Sequence, residues 1–571
     1  VEAVAASPAA ALLAERVRAA DAGFTIDAGN AAAVAAVCRR LEGLPLALEL
    51  AAARVRLLGI AGVQARLDRQ LELLSRGAPP PPGAPPRQQT LRGALQWSHG
   101  LLDAPARTVF RRLAVFAGSF APAAAQQVCA DDALDEWAML DQLRLLADRS
   151  LLQRVPAAAA TGEARWRLLV AAQQFAAERL DEAGETTATR RRHAEAMLAV
   201  FDAADEAAAD APVLPWVDAL LPDLDNLRAA LEWVLGAEGD LALAVALAGA
   251  AGSFWHAAGL DDDAGRVLRR LQPLVEGAAG QELPPRRRAL FWWALALRGA
   301  DARFSWQETF DAADRALAIA REIGDARLLH RVAGLWLPLA QRLHRPIDHD
   351  AVLAELRGCE GADWSSGQRR ARRLVEGRLA HLRGDLAGFI DSQRAELALA
   401  RAEGDDRRAW LTAHNVAIAE LGRGRVAEAV ALMRPVADEI RARGLARRCW
   451  QQMAALALAL IEAGEAAAPE IPEAVALMQV AGALTWMPCH LAEWMAQRGR
   501  LDDAARLLGW TDRRYAERGE SASAQGEAAR RRLQAVLDGA LAPAQQQALH
   551  DEGALLSDEA AARLLRGAAA A

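Results

Sequence analysis

Apolar residues recur along this chain at helical spacing almost throughout. Val34, Val37, Cys38 and Leu41 follow i, i+3, i+4, i+7 behind Asn30, a residue suited to the N-cap. Gly43 is placed to end that helix in the left-handed region, and Pro45 suits the first turn of the next helix, which runs to about Leu58 before Gly59. The stretch 77–86 has six prolines in ten residues and reads as a stiff extended linker. Four helical patterns follow, at about 88–101, 105–116, 121–130 and 133–148. Two short runs, Leu151–Val155 and Arg165–Leu169, read as strands joined by the small-residue turn Pro156–Gly162. Helices followed by a hairpin and a further helix make a winged-helix layout.

From about residue 186 the pattern is helical pairs, and it repeats. Gly384, Gly424 and Gly464 are 40 residues apart, with Gly499 35 later. Gly404 and Gly444, Gly259 and Gly299, and Trp410 and Trp450 keep the same interval. Five residues after Gly259, Gly424 and Gly499 stand Ala264, Ala429 and Ala504, small enough for two helices to cross closely. This predicts a degenerate tetratricopeptide-like superhelical array of about six to eight helix pairs. The domain division that results is 1–76, a Pro-rich linker at 77–87, a winged helix at 88–185, repeats at 186–515 and a helical cap at 516–571. The expected fold class is mainly α.

Composition narrows the chemistry. Lys and Arg together number 67, and every one is Arg. A chain without lysine has no P-loop lysine, no Schiff-base lysine and no lysine base, and Arg cannot deprotonate to replace them. Tyr515 is the single tyrosine against 16 tryptophans. The net charge of −7 disfavours a role in coating nucleic acid. Five scattered cysteines with no CxxC read as reduced, mostly buried thiols of a cytoplasmic protein. The longest uncharged run, Leu241–Trp255, is too short to span a bilayer.

Enzyme signatures are absent: there is no HExxH, GxSxG or Gx4GK[ST]. Gly422-Arg-Gly424-Arg-Val-Ala427 fits GxGxxA but follows a helix and lies on the 40-residue repeat, so it reads as a repeat turn. His344, Asp348, His349 and Asp350 are the densest group of potential metal ligands and read as a solvated loop; no metal site is expected. Arg190–Arg192, Arg286–Arg288, Arg369–Arg373 and Arg530–Arg532 read as solvated helix faces. Between Arg87 and Glu185 there are 11 Arg against 12 Asp+Glu. The helix in the recognition position, 133–148, carries Asp135, Glu136, Asp141 and Asp148 against Arg144 alone, a charge that phosphates repel. Its Leu134, Trp137, Met139, Leu140, Leu143 and Leu145 read as packing surface, so direct DNA binding is disfavoured.

Several segments carry a resemblance. Cys38-Arg-Arg-Leu-Glu-Gly-Leu-Pro-Leu-Ala-Leu-Glu-Leu-Ala-Ala-Ala-Arg54 resembles the GLPLA region of STAND-type (NB-ARC-like) regulatory ATPases. Arg87-Gln-Gln-Thr-Leu-Arg92, Phe110–Phe120, Asp148–Leu151, Trp166–Leu169 and Asp225–Trp233 continue it into the array. The chain is most similar to bacterial transcriptional regulators of the LuxR and SARP kind, over essentially its whole length. The resemblance implies that Pro45 lies against a nucleotide base, with Gly43 and Leu44 shaping the turn; on their own these residues are a helix break with a proline at its start. It also places the Walker strands, which bind ATP or ADP with Mg, N-terminal to Val1, so no catalysis is expected from this chain alone.

The expected function is the sensor and relay part of such a regulator. The array would bind a protein partner or small inducer, and the winged helix would pass the change to the nucleotide domain, with a ligand-dependent oligomer as one output. Trp255, Trp292, Trp293, Trp336, Trp410 and Trp450 are candidates for a ligand groove, or alternatively fill the cores between repeats. A different class of protein, a stand-alone repeat scaffold without nucleotide binding, fits the same residues.

Overall fold

A computed structural model of the chain describes residues 1–20, 24–41, 43, 45–65, 91–130, 135–155, 164–237, 239–299, 305–359, 361, 364–518 and 521–570. The linker at 77–87, the turn Pro156–Gly162 and Leu44 lie outside them. The described chain is mainly α-helical and divides into two compact units, Val1–Val200 with Asp218–Leu243, and Phe201–Val217 with Ala244–Ala571.

The first unit opens with three packed helices, Pro8–Ala20, Ala31–Arg40 and Pro45–Gln64. Leu13, Val17, Val34, Val37 and Leu48 form their core. Gly43 adopts φ +68° and its N–H bonds Cys38 O at 3.1 Å, which closes the second helix as its spacing predicted. Gly59 kinks the third helix at φ 68°. Asn30 occupies the N-cap position, but its side chain makes no capping bond; it turns back to Thr25 O at 2.7 Å instead.

The winged helix follows the predicted pattern closely. Helices Leu91–Gly100, Ala104–Arg112, Pro122–Cys129 and Glu136–Asp148 precede β1 (Leu152–Val155) and β2 (Arg165–Leu168). The two strands pair antiparallel with Leu152 opposite Leu168, and Phe120 adds a single bridge to Trp166. Asp103 and Asp135 cap their helices by accepting from Ala106 N (2.9 Å) and Ala138 N (2.8 Å).

In the second unit, seven helix pairs follow one another among the described residues. They are Gly252–Ala258 with Asp261–Glu276, Pro285–Leu297 with Trp306–Glu322, Ala326–Arg342 with His349–Gly358, and Ser366–Leu382 with Leu386–Ala402. Asp406–Gly422 with Val426–Ala442, Trp450–Glu462 with Glu470–Val480, and Pro488–Gln497 with Leu501–Arg518 complete them. The glycines of the 40-residue series all sit between φ +67° and +84°, where a side chain is strained. Gly324 and Gly482 join them at +66° and +65°, so the turns recur at about half the interval seen in the sequence.

Helices Ala524–Ala540, Pro543–Ala554 and Asp558–Ala570 pack on the last pairs. Two glycines let Leu501–Arg518 and Pro543–Ala554 cross at backbone contact. A Cβ on Gly509 would meet His550 O at 2.0 Å, and one on Gly553 would meet Arg506 O at 1.9 Å. No single helix among the described residues is long and apolar enough to cross a membrane.

Candidate functional site

The second unit contains a partly open cavity of about 180 Å³. Its wall is assembled from stretches far apart in sequence. Helix Asp406–Gly422 supplies His414, Ile418 and Leu421, and Trp450–Glu462 supplies Leu458. The segment Trp486–His490 and Tyr515 form another side, and Arg342 closes one edge. The start of helix Ala524–Ala540, with Ser523, Gln525 and Gly526, completes the enclosure.

That last helix is held across the array's inner helices by named bonds. Gln525 Nε2 donates to Ile418 O at 3.5 Å. Arg532 donates to both Glu493 oxygens, at 2.6 and 2.8 Å, and Arg530 pairs with Asp512. Ser523 caps its start by accepting from Gly526 N at 3.1 Å.

The polar groups of the wall are unusual for a helical core. His490 is 2% exposed; its Nε2 lies 3.2 Å from Glu462 Oε1, and its Nδ1 has no hydrogen-bond partner. His414 also keeps a buried Nδ1 without a partner, and loss of surrounding water pushes its pKa down to about 4, so it is neutral at pH 7. The Cys489 thiol is pushed up to about 11, first by burial, and stays protonated. Trp486 presents its ring 5.9 Å from His414 and packs edge-on to Trp450 at 6.2 Å. Arg342 is the one formally charged residue among those lining the cavity, and its guanidinium stacks 4.2 Å from the Trp306 ring centroid.

None of the six tryptophans singled out from the sequence lines this cavity. Trp255, Trp292, Trp293 and Trp410 are buried. Arg315 stacks on Trp292 and Arg331 on Trp293, while Trp410 Nε1 donates to Glu439 at 2.7 Å. Trp336 is half-buried and donates to Asp314 at 3.0 Å. Trp450 comes nearest the site, one layer behind Trp486. The residue that does face the space, Trp486, stands in Trp-Met-Pro-Cys-His, which is off the 40-residue phase and broken by Pro488. That break was the available signal.

The other sequence candidates fall elsewhere. Gly43 forms the turn into the helix at Pro45. Gly424 is a turn between helices with no strand before it. Asp348 caps helix His349–Gly358 and Asp350 pairs with Arg383. The arginine clusters are less solvated than expected. Arg370 is buried against Glu396 at 3.3 Å, and Arg287 donates to both Asp202 oxygens at 2.6 and 2.7 Å.

In the winged helix, Met139, Leu143 and Leu146 of helix Glu136–Asp148 face the core. Trp137 does not pack as expected: it is 76% exposed, beside exposed Leu140, Asp141, Arg144 and Asp148. Sequence reading also missed a buried polar knot. Arg165 of β2 donates to Asp223 at 3.0 Å and to Ser119 O at 2.8 Å, and Asn226 Nδ2 donates to the same carbonyl at 2.8 Å.

Residues 102–181 match the winged helix-turn-helix domain family. A Mycobacterium tuberculosis protein provisionally named an HTH-type transcriptional regulator is 36% identical over 334 residues, which cover 56% of this chain and 36% of that protein. An uncharacterized Mycobacterium tuberculosis protein is 38% identical over 183 residues, 32% of this chain and 45% of its own length. The chain therefore spans less than half the length of these relatives. Among solved structures, a STAND protein with a tetratricopeptide repeat sensor from Pyrococcus horikoshii aligns at a TM-score of 0.43 and 12% identity, over 97% of this chain and 74% of that one.

Proposed function

We propose that this chain is the sensing and relay part of a transcriptional regulator of the STAND type. The helical array holds a small effector in its cavity, and the winged helix contacts protein rather than reading DNA. The observation that carries the reading is the cavity itself. It is built from helices of the array, closed by the start of helix Ala524–Ala540, and lined by histidine nitrogens that lack partners. The named relatives and the winged-helix match support the regulatory half of the reading. The acidic, apolar outward face of helix Glu136–Asp148 supports the protein-contacting half, because phosphates repel it.

The resemblance to STAND regulators implies ATP or ADP with Mg. The residues here do not build a site for their phosphates. The chain has no lysine, and the Gly43 turn leads into the Pro45 helix without a glycine-rich cradle. No hydrolytic step is assigned to this chain. Gly43, Leu44 and Pro45 are left the role of a base-side turn in a larger nucleotide domain.

Hydrogen exchange on the full chain, with and without pooled small-metabolite fractions, tests the sensor role. The expected result is protection of 414–421, 486–490 and 523–526 by one fraction. Absence of protection by every fraction sinks it. Fluorescence anisotropy with duplex DNA at about 0.15 M salt tests the relay role. Sequence-specific binding that is lost in Arg144→Glu would make the winged helix a DNA reader. No binding, with or without Trp137→Ser, agrees with the proposal.

A further inference from the structure

Four successive helix pairs of the array are crossed by one short segment that belongs to none of them. Helix Thr186–Ala207 ends in the second unit, the chain turns at 208–212, and it returns as Val213–Leu220. Trp216 Nε1 donates to Ala204 O at 3.0 Å and ties the two arms into a hairpin. The hairpin's contacts advance one pair at a time. Arg287 of helix Pro285–Leu297 donates to both Asp202 oxygens, at 2.6 and 2.7 Å. Arg331 of helix Ala326–Arg342 donates to both Asp205 oxygens, one at 2.7 Å, and Asp205 is buried. In helix Ser366–Leu382, Arg370 donates to Ala209 O and Gly367 N donates to Asp210 Oδ1, both at 2.7 Å. Asp405, the N-cap of helix Asp406–Gly422, accepts from Val213 N at 3.4 Å. Each partner sits at the cap or in the first two turns of the first helix of its pair, where the peptide dipoles favour the three aspartates.

Helix pairs stacked in an array restrain mainly their next neighbours. The hairpin reaches further and fixes four pairs against one another. Its two ends are held differently. At the base, buried Phe201 lies 5.4 Å from the Phe254 ring, and Trp216 stands edge-on to that ring at 6.4 Å. The tip, residues 208–214, is held by the polar bonds to Arg370, Gly367 and Asp405, with Leu214 against the array core. Asp210 is exposed, so water can take over its bond when the tip leaves. The apolar base has no such substitute in water. Gly367 is shaped for the tip: a Cβ there would meet Ala209 O at 2.1 Å and Asp210 Oδ1 at 2.7 Å. A glycine inside a helix is otherwise a cost.

We propose that residues 201–217 are a strap that keeps four helix pairs in register, and that release of its tip is the movement by which the array changes state. The proposal rests on the sensing reading for what drives the release, and on the contacts above for the release itself. A ligand shifts an array only between states that already differ, and the bound and released tip supply two such states. Residues 186–200 of the helix that carries Asp202 and Asp205 belong to the first unit, so one continuous helix leads from the strap to that unit.

Hydrogen exchange of the full chain, read by mass spectrometry at graded urea below the unfolding transition, tests this. The expected result is that 208–216 opens at lower urea than the helices it touches. Asp210→Ala should speed exchange of that segment by roughly tenfold or more, the size of one charge-assisted hydrogen bond. Gly367→Ala should speed it further. In both variants exchange should rise as well in helices Pro285–Leu297 and Ala326–Arg342, which carry the other anchors, Arg287 and Arg331. Gly358→Ala, whose Cβ has nothing within 4 Å, is the control and should change none of these segments. Opening of 208–216 only together with global unfolding overturns the strap. So do variants that speed 208–216 while those two helices keep the rates of the unaltered chain. If Gly367→Ala fails to fold, Asp210→Ala, which inserts no new atoms into the contact, decides alone. Repeating the measurement with the metabolite fractions separates the two readings. The fraction that protects 414–421 should also change the opening of 208–216. Protection of 414–421 with that opening unchanged keeps the sensor and overturns the strap. No protection by any fraction sinks the sensor, and the strap is then decided by the variants.

Discussion

The winged-helix unit is tied together at one buried polar knot, whereas the array adds close helix crossings to its buried pairs. Arg165 and Asp223 are 58 residues apart, 7% and 9% exposed at their side chains, and they gather Ser119 and Asn226 into the same knot. The array has a buried pair of its own, Arg370 with Glu396 at 3.3 Å, and adds close crossings at small residues. Gly509 and Gly553 bring two backbones into contact, and Gly252 sits where a Cβ would be 2.5 Å from Ala294 Cβ. A polar knot is directional and fails when one member is removed. Steric crossings are distributed along the unit, so each lost one has a smaller and more local effect. Cohesion that is spread out leaves room for a cavity without loss of the fold.

The largest test of this contrast is Asp223→Ala. It leaves Arg165 buried without its carboxylate and should cost about 3–5 kcal/mol in the winged-helix unit. Hydrogen exchange at the Phe120 and Trp166 amides, which bond each other's carbonyls at 2.8 and 2.9 Å, reads that loss. Amides of the array should not change. An equal loss in both units would mean that the knot is not local.

Gly553→Ala comes next. Its Cβ would overlap Arg506 O, and separating the two helices should cost about 1–3 kcal/mol, against about 1 kcal/mol returned by helix propensity. Gly539→Ala has nothing within 4 Å and should stabilise helix Ala524–Ala540 slightly. Urea unfolding of the two variants side by side separates crowding from propensity. The same sign for both would remove steric crossing as the explanation.

The smallest effect is the part of the pH dependence that His193 contributes in the winged-helix unit. His193 is 2% exposed against Phe116, and burial lowers its pKa from 6.5 to about 4. The unfolded chain takes up that proton first, so stability is constant above about 6.5 and falls as pH drops toward 4. Glu185 adds a separate loss. Hydrogen bonding to Arg111 and Arg112 holds it down to about 2, so its contribution is full above 4.5 and lost below that toward 2. Melting curves of His193→Phe should slope less between pH 6.5 and 4.5 than those of the unaltered chain, the remaining slope coming from other histidines whose pKa burial lowers, such as His99 and His414.

What the sequence made readable was whatever repeats locally. The strands at 152–155 and 165–168 and the helix at 136–148 were visible in their periodicity, and the glycine turns in their spacing. Pairings across distance left no such trace. Arg165 and Asp223 look like two of many charges until β2 and the segment after Leu220 meet. The cavity draws on residues from Arg342 to Gly526, and no window of sequence holds more than a few of them. Tryptophan content pointed to the right part of the array at Trp450, but burial rather than residue type decides which ring faces a space, and that ring is Trp486. Trp137 shows the converse. Its position in an apolar pattern suggested packing, and the helix turns it outward.

The left-handed glycines have a mechanical consequence. They recur at about half the 40-residue interval, so each repeat of about 40 residues is a helix pair bounded by such turns and contacting mainly its neighbours. Pulled from its ends, such an array would yield one pair at a time, each release lengthening the chain by roughly 130–140 Å. The pairs bridged by helix Ala524–Ala540 are also joined through Gln525 and Arg532, so they would let go together, as one longer step in the force trace.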